Sequence, residues 1–324
     1  MQNYTTAPEL TATYLKTVWE KLPAYIRPTT LLPAPTLSKR FGCELIIATE
    51  TFQYTGSFKF RAAYNLLAAI PERQVVAASS GNFGQAVAYA SSLLGKSSTI
   101  VMPSTSASVK IEAVKAFGGA ADLIDVRQIS RAGRVQQLLE EIPGAFQARA
   151  YDDYRVVAGN STLGKEIFQA DEFDAVIVPV GGGGLSSGLV LARDYLNQRT
   201  EIVGAEPQPG NDAARSLREE KLVSNEQEPD TIADGARTIS LGELNWEILH
   251  QGLSTIQEVP DQATIEALQL YFREVNLKVE PTGALSLGAL LSNPTRFAGK
   301  RVCCIVSGGN VDPEVYARAL LQVR

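Results

Sequence analysis

Asp174 to Asn197 reads DAVIVPVGGGGLSSGLVLARDYLN. An apolar, β-branched run of the kind that fills a buried strand gives way to Gly181, Gly182, Gly183 and Gly184, then to a stretch with helical apolar spacing. Strand, loop and helix in this order form the unit from which parallel sheets with packed helices are built. The glycines fall just beyond the carboxyl end of the strand, where open parallel sheets bind ligands. Four of them permit positive φ and let bare N–H groups converge, and the following helix dipole favours negative charge. The run is therefore read as a phosphate cradle. A plain turn would not need four residues that each lose so much backbone entropy on folding. No Gly-Lys-Ser/Thr follows, so this is not a Walker loop, and the GxGxxG spacing with a downstream acid is missing.

Outward from this unit the same rhythm recurs. CELIIAT, QVVAAS, STIVMP, ADLIDV, EIVGAE and RVCCIV read as further strands, separated by helical stretches such as SFKFRAAYNLLAAI, GQAVAYASSLLG and SVKIEAVKAFGG. Alternating strand and helix predicts an α/β protein with doubly wound, mostly parallel sheets. At 324 residues the chain exceeds what one core usually organises. Length allows one large or two modest domains, and of these two are expected: a large one from residues 1–72 plus 151–324, and a smaller, mobile one from 73–150. The polar passage Ser216 to Arg237 should run over the surface near the site. The last strand signal lies close to the C-terminus, so no appended regulatory domain is expected.

Composition narrows the function. Apolar residues make up 45% and charged residues 20%, as in a packed globular protein, and the net charge is -5 without a basic cluster, which argues against nucleic acid as a partner. MQNYTTAPEL lacks the basic start and apolar core of a signal peptide, and no apolar run approaches the roughly 18 residues of a membrane helix. A cytoplasmic location follows as the default. Cys43, Cys303 and Cys304 read as reduced packing residues. His250, the single histidine, reads as structural, which disfavours zinc sites and Ser/His/Asp triads.

Three more loops lie where ligands bind. Ser79-Ser80-Gly81-Asn82-Phe83-Gly84 follows a strand and opens a helix, offering hydroxyls, an amide and free N–H groups to a carboxylate, although simple N-capping explains it equally well. Thr55-Gly56-Ser57-Phe58-Lys59-Phe60-Arg61 puts a lysine on the first turn of a helix, where the dipole opposes its charge. Desolvated beside a phosphate site, such an amine can lose its proton and attack an aldehyde. Ser307-Gly308-Gly309-Asn310 follows the last strand and by itself is a glycine-rich turn.

Taken together, TGSFKFRAAYN, SSGNFGQA, GGGGLSSG, GAEP, TIADGA, EPTGA and SGGNVD occur in the order and approximate spacing of pyridoxal phosphate (PLP) enzymes of fold type II, the tryptophan synthase β-like class. The chain resembles most closely the serine racemase and short threonine/serine dehydratase group, from about Leu32 to Asp312. The resemblance implies that Lys59 forms the Schiff base and removes the Cα proton, with Phe58 beside it. It implies that Gly181 to Gly184 hold the phosphate and Asn82 bonds the ring hydroxyl. Ser80 matches the serine facing Cα from the side opposite the lysine, and Ser79 to Phe83 match the loop that takes the substrate carboxylate. Ser307 matches the residue facing the pyridine nitrogen. A hydroxyl there cannot protonate the ring as an aspartate could, which favours β-elimination over a long-lived carbanion.

Glu206, the Gly210 carbonyl and Asp212 match a divalent-cation site of part of this group, suited to Mg²⁺, Mn²⁺ or Ca²⁺; a polar loop after a strand is the plainer alternative. The implied activity is a PLP-dependent ammonia-lyase acting on L-serine or L-threonine, with racemisation as a side or main reaction. Alternatives are threo-3-hydroxyaspartate ammonia-lyase, for whose second carboxylate Arg131, Arg134, Arg149 and Arg155 are candidates, and β-replacement. Synthases of that last kind usually carry Lys-Asp-Arg where this chain has Lys59-Phe60-Arg61. A silent PLP carrier ranks last. A homodimer is implied by the resemblance alone. Phe83, where relatives carry histidine or a small or polar residue, Ala62 in place of glycine, and Asn160-Ser161 in place of Gln-Gly depart from the pattern and bear on the substrate.

Overall fold

The computed structural model describes residues 6–322. The first five residues, on which the reading of the N-terminus as lacking a signal peptide partly rests, lie outside that range. Among the described residues ten strands form two sheets: β1 (Thr30–Pro33), β2 (Glu44–Thr49), β3 (Gln74–Ala78), β4 (Ser97–Pro103), β5 (Ala120–Ile124), β6 (Phe146–Gln147), β7 (Ala175–Pro179), β8 (Glu201–Pro207), β9 (Thr255–Val259) and β10 (Arg301–Val306). The large sheet has the order β1-β2-β10-β7-β8-β9 and the small one β5-β4-β3-β6. Every pairing is parallel except that of edge strand β1 with β2.

Six of the seven apolar runs are central strands, with helices covering both faces of their sheets, and the seventh is the edge strand β5. Alternation along β10 shows it: Cys303 and Ile305 join one core with Ile46 and Val176, while Val302, Cys304 and Val306 join the other with Leu45 and Ile177. The adjacent cysteines thus point to opposite faces, and burial pushes the Cys303 thiol up to about 12 and raises that of Cys304 too. They are packing residues. The first of these cores continues into the small sheet through Val75, Ala77, Ile100 and Met102, whereas the sheet's outer face has only a five-residue cluster around Val76 and Val101.

All seven strands read from the sequence are present. The three without a sequence signal are β1, a four-residue edge strand ending in Pro33, β6, only two residues long, and the half-polar edge strand β9. Edge strands need neither a continuous apolar run nor a full set of N–H donors, so they leave little trace. No described helix is long and apolar enough to cross a membrane.

Candidate active site

The carboxyl ends of β2, β3, β7 and β10 open on one cavity of about 530 Å³, which lies between the two sheets. Phe58, Lys59, Ser79, Ser80, Gly81, Asn82, Phe83, Gly181, Gly182, Gly183, Gly184 and Ser307 all line it. Four loops that are far apart in sequence therefore face one space. Glu206, Gly210 and Asp212 do not line it.

Lys59 is the first residue of the helix Lys59–Ala68. Its Nζ donates to the Ala150 carbonyl at 3.0 Å and lies 5.0 Å from the centre of the Phe58 ring and 5.7 Å from that of Phe83. Burial lowers its pKa to about 8, against the opposing pull of the Glu280 carboxyl. A neutral amine, the nucleophilic form, is therefore accessible near neutrality. Two residues on, Arg61 anchors the same helix turn by ion pairs to Glu50 at 2.7 Å and Glu166 at 2.9 Å.

The glycine loop is shaped by what approaches it. A Cβ on Gly182 would fall 2.4 Å from Cγ of Tyr151, so the aromatic ring packs directly on bare backbone. Gly183 has φ +92°, a conformation that favours glycine, and caps the helix Gly184–Tyr195. The start of that helix, with its unpaired N–H groups, faces the cavity.

Asn82 begins the helix Asn82–Leu93, and its Nδ2 lies 2.9 Å from both carboxylate oxygens of Glu280. Burial, then the charge of Asp234, raises the Glu280 carboxyl to about 8. Ser79 Oγ accepts from the Gly81 N–H at 3.3 Å, so this loop is partly self-supported. Ser307, 1% exposed, has a hydroxyl without a partner among the described residues although it borders the cavity. A buried polar atom left unpaired beside a cavity calls for an explanation, and a bound ligand atom is one.

Glu206 and Asp212 are both buried, and burial raises both carboxyls, Asp212 to about 7. Glu206 accepts the Ala213 and Ala214 N–H groups at 2.8 Å each, capping the start of the helix Asp212–Glu219. Asp212 Oδ1 accepts from Asn225 at 2.8 Å, and its Oδ2 has no partner among the described residues. Among the described residues no three His, Cys, Asp or Glu side chains converge.

Of the four arginines considered from sequence, only Arg131 lines the cavity. Arg134 pairs with Asp122 and Glu141, and Arg155 with Asp153. Arg131 pairs with Glu228, and Lys110 with Asp234 at 2.7 Å; both pairs link helices packed on the small sheet to the polar passage that follows β8. Arg237, Asp234 and Glu228 of that passage border the cavity, as do Tyr151, Glu280 and Asn310. Sequence reading gave none of these six a role. Asp234, Glu280 and Asn310 did stand in the quoted motifs TIADGA, EPTGA and SGGNVD, but none was given a task of its own. His250 is exposed, with Nδ1 2.8 Å from the Trp246 carbonyl and no part in the cavity.

Known proteins resemble this chain over most of its length. A family model described as pyridoxal-phosphate dependent enzyme matches residues 22–308. Serine racemase of Schizosaccharomyces pombe is 36% identical over 308 residues, 94% of this chain and 95% of that protein. L-threo-3-hydroxyaspartate ammonia-lyase of a Pseudomonas species is 37% identical over 306 residues, 93% of this chain and 95% of that protein. The crystal structure of maize serine racemase superposes with a TM-score of 0.89 at 31% identity, covering 95% of this chain and 96% of that one. A threonine deaminase crystal structure superposes with a TM-score of 0.88 at 36% identity, covering 93% of this chain and 98% of that one.

Proposed function

Since this chain belongs to the pyridoxal-phosphate dependent enzyme family, we propose that it holds the cofactor on Lys59 and acts as an ammonia-lyase on a small hydroxy amino acid, converting L-serine or L-threonine to a 2-oxo acid and ammonia. The observation that carries this reading is the meeting, in one cavity, of an amine held well below the usual lysine range, a glycine loop at a helix start and the partnerless hydroxyl of Ser307.

These residues fit the cofactor. The loop at Gly181 to Gly184 and the helix start behind it suit a phosphate, Ser307 supplies a neutral partner for a ring nitrogen, and the remaining N–H of Asn82 suits a ring hydroxyl. When bound, pyridoxal phosphate supplies an aldehyde that captures amines and a ring that draws electrons away from Cα. Lys59 in its neutral form is the base for the Cα proton, and its two aromatic neighbours limit the water around that amine. The Ser79 to Phe83 loop, with free N–H groups at a helix start, orients the substrate carboxylate. Ser80 serves as the proton carrier on the opposite side of Cα, which would also allow racemisation. The neutral partner at Ser307 favours loss of the β-hydroxyl over return of the proton.

Arg131 supports a second reading, threo-3-hydroxyaspartate as substrate, because a cation borders the cavity where a β-carboxylate could displace Glu228. β-Replacement fits less well, since Lys59 is followed by Phe60 rather than the aspartate usual in such synthases. Glu206, the Gly210 carbonyl and Asp212 are proposed to hold Mg²⁺, Mn²⁺ or Ca²⁺ in a structural or activating role, and the unpartnered Asp212 oxygen favours it. The small unit at 73–150 is proposed to close on substrate, and the protein to act as a homodimer in the cytoplasm.

A panel of L-serine, D-serine, L-threonine and the 3-hydroxyaspartate isomers, scored for 2-oxo acid, ammonia and inverted enantiomer with and without chelator, tests the activity and the cation. Keto acid from none of them would overturn the lyase reading. Unchanged rates and melting temperature with chelator would remove the cation.

A further inference from the structure

Glu280 has no role in the chemistry described so far, yet it is 3% exposed and borders the cavity. It immediately precedes the helix Pro281–Ser292, and both of its carboxylate oxygens lie 2.9 Å from Asn82 Nδ2. At the other end of that amide, Asn82 Oδ1 accepts from Asn310 Nδ2 at 2.8 Å, and the same Asn310 nitrogen donates to the Thr55 carbonyl at 2.7 Å. Gly56 admits this contact: its φ is +71°, and a Cβ there would sit 2.4 Å from Asn310 Oδ1. Residues following β2, β10 and the π-turn at 271–275 thus grip the first residue of a helix packed on the small sheet.

The grip fixes the orientation of the amide. Turning it over would put its NH₂ against the Asn310 NH₂, whose hydrogens already go to Asn82 and the Thr55 carbonyl, a repulsion in place of a hydrogen bond, and an ionised Glu280 would add a second. Asn82 Nδ2 carries two hydrogens and faces both Glu280 oxygens, so one hydrogen shared between those oxygens would leave the second for the cavity that Asn82 also lines. Resting on the reading that Asn82 meets the cofactor's ring hydroxyl, we propose that Glu280 and Asn310 are positioning residues that clamp the Asn82 amide with its nitrogen toward the cavity, so that cofactor affinity depends on both. Asp234, Lys110 and Lys59 are the charged groups facing Glu280; burial and Asp234 keep its carboxyl neutral up to about pH 8, and an ionised Glu280 holds the proton on Lys59.

The test is equilibrium dialysis of the apoprotein against pyridoxal phosphate, with far-UV circular dichroism and melting temperature run beside it. Asn310→Ala and Glu280→Ala should weaken binding about fivefold or more while the fold is retained, the loss expected for a neutral hydrogen bond or its repulsive replacement. Glu280→Gln keeps a neutral acceptor and should restore binding to within that margin at pH 7, while moving the pH midpoint of cofactor loading downward. Smaller losses in both alanine variants, or a Glu280→Gln protein as weak as Glu280→Ala, would overturn the clamp. Should Glu280→Ala not fold, Asn310→Ala and Glu280→Gln decide the matter by the same margin. A wild-type protein that binds no pyridoxal phosphate overturns the cofactor reading and the clamp with it; normal wild-type binding with unaffected variants overturns the clamp alone.

Discussion

Arg61 Nε donates to Glu50 Oε2 at 2.7 Å, with both side chains closed off from solvent. The guanidinium also reaches Glu166, Thr162 and Thr29, so the turn that carries Lys59 is tied to the end of β2, the segment before β1 and the helix Tyr154–Ala170. Breaking a buried pair from one side strands a charge and costs about 3–5 kcal/mol. Arg61→Ala should lose stability of that order in urea denaturation of the apoprotein. Exchanging both Arg61 and Glu50 for apolar residues should cost less than the single change. A loss below about 1 kcal/mol for Arg61→Ala would mean that the network contributes little.

Lys59 works against folding of the apoprotein. Its pKa is about 8 in the folded chain and about 10.4 when unfolded. Between those values the unfolded chain binds more protons, so wild-type stability rises with pH across that window, and below it the cost of burying the charge is fully present. Lys59→Met should therefore stabilise the apoprotein at pH 7 by on the order of 1 to 2 kcal/mol, a figure reduced for the side chain's partial access to cavity water. The advantage should shrink between pH 8 and pH 10, which melting curves at several pH values will show. The same variant should show no visible cofactor band and no keto acid production.

Gly182→Ala should separate cofactor binding from folding. The new methyl meets the Tyr151 ring at 2.4 Å, so the ring or the loop must move. A loss of cofactor affinity of about tenfold or more is expected from the displaced N–H groups. Gly183→Ala carries the added strain of φ +92°, about 1 kcal/mol or more. Fluorescence titration with pyridoxal phosphate checks the first and thermal melting the second.

Arg131→Gln distinguishes the substrates. If a β-carboxylate binds there, KM for threo-3-hydroxyaspartate should rise about tenfold or more while that for L-serine changes less than about threefold, because serine offers no second charge to that side chain. Equal effects on both would assign Arg131 only to its pair with Glu228.

The alternation of apolar runs and helical stretches made the two parallel sheets legible, and the ordered motifs made the cofactor family legible. Both are local signals: a strand buried on two faces must be apolar throughout, and a loop built to approach a phosphate must be rich in glycine. The four arginines looked equivalent because sequence distance does not tell which side chain points inward. Glu280 and Asn310 each resembled ordinary punctuation, a residue before a helix and a turn after a strand, until folding brought them to the two ends of one amide.

By itself, then, the sequence determined the fold class and the family and pointed to Lys59, since backbone periodicity and glycine content act over a few residues. Tertiary structure decided which charges share the cavity, how far Lys59 and Glu280 move from their solution behaviour, and what holds Asn82, because desolvation and through-space contact depend on chain segments as much as 255 residues apart.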